Sequence, residues 1–175
     1  DPDIQAAKQD FYQYVTSKGS NKVGHLRSRN AISIWKRACA LNCADAFFLV
    51  GKCYEQGIGV TKDIAIANQY YKRGADVNQS FCLGNHANYL GDQGQHDKSF
   101  QLKKKAAELG SCSAMYNLAL LFEYGNKPVS KDKNQAKSWY KKTMIRAKQI
   151  GNDGIFNLAF KGYRRLDYWG ADKAR

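Results

Sequence analysis

The sequence predicts an all-α fold, an α-solenoid of stacked antiparallel helix hairpins. Three observations carry that expectation. A small residue after a larger one, with a large apolar residue three positions on, recurs at Val50-Gly51 with Tyr54, His86-Ala87 with Leu90, and Leu118-Ala119 with Phe122; Leu158-Ala159 opens a fourth copy. The copies stand 36, 32 and 40 residues apart, the length of a two-helix repeat. No stretch sustains the apolar/polar alternation of a strand.

Taken in order, helices are expected near 2–16, 29–41, 44–56, 63–75, 80–91, 96–109, 113–124, 132–150 and 153–166, with a long polar loop over 17–27 (SKGSNKVGHLR). The second helix supplies the latter half of a repeat through Ala31, Ile34-Trp35, Ala38 and Asn42. The third passes into Gly57-Ile58-Gly59-Val60, and the fourth carries Asp63, Ala67 and Tyr70-Tyr71. The middle pair is degenerate: Gly91, Gly94, Asp97, Ser99, Ala106-Ala107 and Gly110. The next repeats the pattern as Gly125, Val129, Asp132, Ala136 and Trp139-Tyr140. Glycine ends the first helix of each pair because it takes the left-handed conformation at little cost. Asp63, Asp97 and Asp132 are expected to cap the second helices. The small residues let paired helices approach closely, and hairpins that cannot bury an apolar face alone do so by stacking. A single repeat domain over 1–175 follows: an N-terminal hairpin at 2–41, repeats at about 44–79, 80–111 and 112–150, and a C-terminal capping helix at 153–166.

With 175 residues the chain has room for one ordinary domain. Hydrophobic residues at 43% and aromatics at 13% exclude a disordered tail. No apolar run approaches the ~18 residues of a membrane span. The chain opens on Asp1-Pro2-Asp3 without Met, so a processed form with its leader removed, or a trimmed chain, is expected. Lys and Arg number 28 against 15 acids, a net charge of +13. Residues 88–175 carry +9 of it, in runs such as Lys103-Lys104-Lys105 and Lys141-Lys142. Such a half attracts nucleic acid, anionic lipid or an acidic protein, or it is a solvated helix face.

Five cysteines, Cys39, Cys43, Cys53, Cys82 and Cys112, leave at least one unpaired, and none is spaced CxxC. Most are expected to be small buried apolar residues, with Cys39 and Cys43 the exception. No catalytic constellation emerges from His25, His86 and His96 or from the sparse carboxylates. HExxH, GxSxG and GxxxxGK[ST] are absent. Gly57-Ile58-Gly59 lacks a preceding strand and reads as a hairpin turn. Cys82 and His86 share a helix face and could join Cys53 or Cys112 around a metal, but a half-buried histidine explains them as well. No enzyme activity, metal or cofactor is expected.

The run ADAFFLVGKCYEQGIGVTKDIAIANQYYKRGA resembles a Sel1-like repeat, a relative of the tetratricopeptide repeat with a longer turn. SAMYNLALLFEYG with VSKDKNQAKSWYKK resembles a second, and residues 80–110 resemble a shortened copy. Ala87 and Leu90 stand where the pattern has Gly and Tyr, and the turn after Gly125 is one residue longer. The resemblance implies a concave groove lined by the first helices of the hairpins, where ligands bind.

By register, Phe48, Gly84, Tyr116 and Phe156 stand three before the small position, Lys52, Asn88, Leu120 and Phe160 one after it, and Glu55, Gly91, Glu123 and Tyr163 four after it. Phe48, Lys52, Tyr116, Leu120, Glu123, Phe156, Phe160 and Tyr163 are therefore the expected partner-binding residues, aromatics as anchors and Lys52, Glu123 and Tyr163 at the rim. The alternative is that the aromatics pack into the next hairpin. The function expected is non-catalytic protein binding. The family resemblance makes a bacterial adaptor or immunity protein, exported or periplasmic, the specific expectation, with an acidic secreted toxin or effector as partner. No small-molecule substrate is expected, and the chain is expected to be a monomer or a weak dimer. Nucleic-acid or anionic-membrane binding through the basic half is the rival.

Overall fold

The computed structural model describes residues 1–16 and 31–171. The expected loop over 17–27, His25 included, lies outside them. The described residues form helices and no strand: α1 Pro2–Thr16, α2 Ala31–Ala40, α3 Ala44–Gln56, α4 Ile64–Asp76, α5 Ser80–Asp92, α6 His96–Glu108, α7 Cys112–Tyr124, α8 Lys133–Gln149 and α9 Asp153–Ala171. The last helix runs five residues past its expected end. This is the all-α hairpin-repeat fold that the sequence predicts.

The turns show why these segments are helices. Gly57 and Gly125 end α3 and α7 at φ 71° and 70°, the left-handed region. Asp63 caps α4 by accepting the Ile66 N–H at 2.9 Å. Asp132 caps α8 by accepting from Asn134 and Gln135 N–H, each at 2.9 Å. Asp97 does not cap α6. The capping position belongs to Gln95, which makes no side-chain cap bond, and Asp97 lies inside the first turn. The shorter connection after Gly94 starts α6 two residues earlier than the aspartate suggests. Gly57-Ile58-Gly59 is a helix-hairpin turn with Ile58 tucked inside.

The packing divides the chain into two units, Asp1–His86 and Ala87–Arg175. In the first, α1 packs on α2 and α3, and α3 on α2 and α4. Its core holds Trp35, Phe47, Phe48, Leu49, Val50, Cys53, Tyr71 and Cys82. Gly51 lies against the Tyr71 ring, where a Cβ would stand 2.4 Å from Cε1. Gly74 makes the same kind of room for Cys82 Sγ. In the second unit α6 packs on α7, α7 on α8 and α8 on α9. Its core gathers Ala119, Ala136, Tyr140, Ala159 and Leu166, and Gly162 gives way to the Tyr140 ring.

Candidate functional site

The expected binding residues divide into buried and accessible groups. Phe48 is not a groove residue. It is 2% exposed and ringed by Phe11, Tyr14, Tyr71 and Phe81, with centroids 5.3–6.5 Å away. Helix α1 lays Phe11 and Tyr14 edge-on against it. The groove expectation placed Phe48 on an open face, whereas α1 covers it from one side and Tyr71 and Phe81 pack on it from the following helices, which is the alternative reading of the aromatics. Lys52 is half-buried and ion-paired with Glu55 one turn on.

Glu123 is also not a rim group. It is 5% exposed, and its two carboxylate oxygens are fully engaged. Arg165 donates to Oε1 from Nε at 2.7 Å and to Oε2 from Nη2 at 2.8 Å. Tyr140 donates its hydroxyl to Oε2. Burial works to raise the Glu123 carboxyl, but Arg165 and Tyr140 outweigh it, helped by Lys131, and hold it below the usual value. The same contact works in reverse on the phenol: burial, then the carboxylate, pushes Tyr140 well up. The hydrogen bond to Glu123 keeps Arg165 protonated. The group is a structural clasp between α7, α8 and α9.

Tyr116, Leu120, Phe156, Phe160 and Tyr163 stay at least partly accessible. Tyr116 packs on Tyr140 with centroids 5.8 Å apart. Phe156 and Phe160 stack at 6.3 Å with planes 9° apart, and Phe160 is 42% exposed. Arg164 lies 5.7 Å over the Phe160 ring. Lys137 lies 5.6 Å over Tyr163 and pairs with Asp167. Aromatic faces rimmed by guanidinium and ammonium groups thus line α9 and its contact with α8.

A family model described as Sel1 repeat matches residues 44–78, 83–111 and 112–143, more than half of the chain. The chain belongs to the Sel1 repeat family. Among solved structures, this Sel1 repeat chain is similar to a Sel1 repeat protein from Oxalobacter formigenes, with 24% identity and a TM-score of 0.65, covering 94% of this chain and 72% of that one. It is similar too to a protective antigen of uropathogenic Escherichia coli strains displaying an SLR fold, at 21% identity and a TM-score of 0.64. That match covers 98% of this chain but spans only 38% of the antigen. An immunity protein from Pseudomonas aeruginosa matches at 13% identity and a TM-score of 0.45, over 95% of this chain and 83% of that one. No curated protein matches.

All five thiols of the Sel1 repeat chain are free and buried, Cys39 and Cys43 among them, so the expected exception does not hold. Burial pushes Cys39 and Cys53 up to about 12, which leaves them without nucleophilic thiolate. His86 is half-buried, its Nδ1 2.7 Å from Asn68 Oδ1. Among the described residues no His, Cys, Asp or Glu cluster is arranged to hold a metal ion. None of their helices is long and apolar enough to cross a membrane. Sequence reasoning missed Arg165, because nothing local marks a partner 42 residues from Glu123. It also missed the bond from Trp35 Nε1 to Asp10 Oδ2 at 2.8 Å, which pairs an acid of α1 with an aromatic of α2.

Proposed function

We propose that this Sel1 repeat chain is a non-catalytic module that binds a protein partner through the accessible aromatics of α7 and α9. Sel1 repeats typically mediate protein–protein interaction. The observation that carries the reading for this chain is the Phe156–Phe160 stack, an apolar surface left partly open beside Arg164. Aromatic and arginine side chains of this kind make efficient binding anchors. Tyr116, Leu120 and Tyr163 are the other accessible candidates of the same unit, whereas Lys52 belongs to the first unit and is ion-paired with Glu55. The finer reading is an exported adaptor or immunity protein that holds an acidic secreted protein. The +13 charge favours an acidic partner. Five free thiols weigh against an oxidising compartment, where unpaired cysteines are uncommon, so the exported reading rests on the family resemblance.

The test is affinity capture from culture of the source cell with the wild type and with Tyr116→Ala, Phe156→Ala and Phe160→Ala. Each truncation should weaken capture of one defined protein by about 2 kcal/mol, roughly thirtyfold, while the helical fold stays intact. Capture unaffected by all three, but lost on charge reversal at Lys141 and Lys142, would move binding to the basic face. A partner found only in the cytoplasm would overturn the exported reading.

A further inference from the structure

Aligning the hairpins by their observed helix starts shows a substitution hidden in the sequence. The fourth residue after each capping position donates its N–H to that residue's carbonyl: Ala67 to Asp63 at 3.0 Å, Ser99 to Gln95 at 3.0 Å, and Ala136 to Asp132 at 2.9 Å. Ser99 therefore stands where the other repeats have alanine. Four residues further, Lys103 stands where they have Tyr71 and Tyr140. On the facing helices, Gly91 stands where they have Glu55 and Glu123. Glu123 bonds Tyr140, and in the N-terminal pair Asp10 bonds Trp35. The middle hairpin has lost the acid and gained a cation.

A cavity of about 520 Å3 opens within the second unit, bounded by α5, α6, the end of α7 and the turn after it. Cavities of that order hold small ligands or single side chains of a partner. Lys103 is half-buried in its wall and donates to Ser99 Oγ at 2.9 Å. Ser99 is itself 4% exposed. A Cβ at Gly91 would stand 3.1 Å from Ser99 Oγ and 3.9 Å from Lys103 Nζ, so the glycine brings the α5 backbone close against this pair. Burial lowers the Lys103 pKa, and Asp92 partly offsets it. No ion pair joins Lys103 to Asp92 or to any other acid among the described residues. The remaining charged or titratable groups on the wall are His96 and Lys127, and Asn88 and Asn126 add amides. The wall is net positive and has polar donors to spare.

We propose that this cavity binds a carboxylate, which docks on Lys103 as the Glu123 carboxylate docks on Tyr140 in the next repeat. The carboxylate comes from an acidic segment of a protein or from a free organic acid, and the two are separable. The inference does not rest on the aromatic surface, since Tyr116 and Phe156 do not line the cavity.

The test follows backbone amide shifts of Gly91, Ser99 and Lys103 while the full chain is titrated, at constant ionic strength, with sodium succinate or with acetyl-hexaglutamate amide. At least one should give a saturable shift at those residues. Saturation by the peptide alone names an acidic segment as the source, and saturation by succinate names a free acid. Lys103→Met, and Lys103→Tyr as a better-packed alternative, should weaken binding at least tenfold. The double variant Gly91→Glu, Ser99→Ala supplies an internal carboxylate. It should abolish binding and raise the melting temperature. No saturation with either probe, an unchanged affinity in both Lys103 variants, or wild-type binding by the double variant would each overturn the proposal.

Discussion

Gly51 and Gly162 do one job in separate units: each leaves the space a tyrosine ring fills. Gly51→Leu should therefore destabilise the fold by ~1–3 kcal/mol or more, read by chemical denaturation, because Tyr71 is buried and cannot swing clear. An unchanged midpoint would mean the ring does not sit there. Glu123 gives a second expectation, in pH. Its folded pKa lies below the usual 4.5. A group shifted that way contributes stability in full above the unfolded pKa and loses it as pH falls through the folded one. Glu123→Gln should thus be less stable than wild type near neutrality, by about 1 kcal/mol given how exposed Arg165 is. The gap should close as the solution is acidified. A gap constant across pH would show that the charge of Glu123 contributes nothing.

At the scale of the element, caps decide where helices start. Asp63→Ala and Asp132→Ala should each cost ~1 kcal/mol in thermal or denaturant unfolding. Asp97→Ala should cost about 0.5 kcal/mol or less, the scale of a charge in a first helical turn. Equal losses at all three would contradict the Gln95 start of α6. The helices themselves were legible in the sequence, because glycine, aspartate and alanine positions are local signals that act within one turn. Phe48 was not legible. Its burial depends on Phe11, Tyr14, Tyr71 and Phe81, each more than twenty residues away, and a repeat pattern says nothing of what covers its first copy. Glu123 misled for a related reason: register identified its face, but Arg165 lies on another helix. Lys103 was hidden by a two-residue error in a turn whose aspartate imitates a cap. The run Lys103-Lys104-Lys105 reads as one solvated face, yet its first member is half-buried.

The charge belongs to the molecule as a whole. Of the +13, residues 88–175 hold +9, and Lys141 and Lys142 of α8 are exposed, Lys142 lying 4.3 Å over the Trp139 ring. Binding of an acidic protein anchored by aromatics should lose association rate with added salt while its dissociation rate holds. Nucleic acid would behave differently. Its affinity would fall with a log–log salt slope of about −0.9 for each duplex phosphate neutralised. Measuring both rates between low and high salt separates the two. A steep equilibrium slope, unmoved by Phe160→Ala, would favour the basic half over the aromatic surface.

The five enclosed sulfurs make the protein its own stopwatch. A thiol reagent added to the native chain reaches a cysteine only when the helices around it part, so labelling measures how often they part. Cys39, Cys43, Cys53 and Cys82 keep time for the first unit and Cys112 for the second. If the units open separately, Cys112 will be modified at its own rate, and mass spectrometry of tryptic peptides will date each event. A single shared rate for all five would mean that the chain opens as one cooperative body.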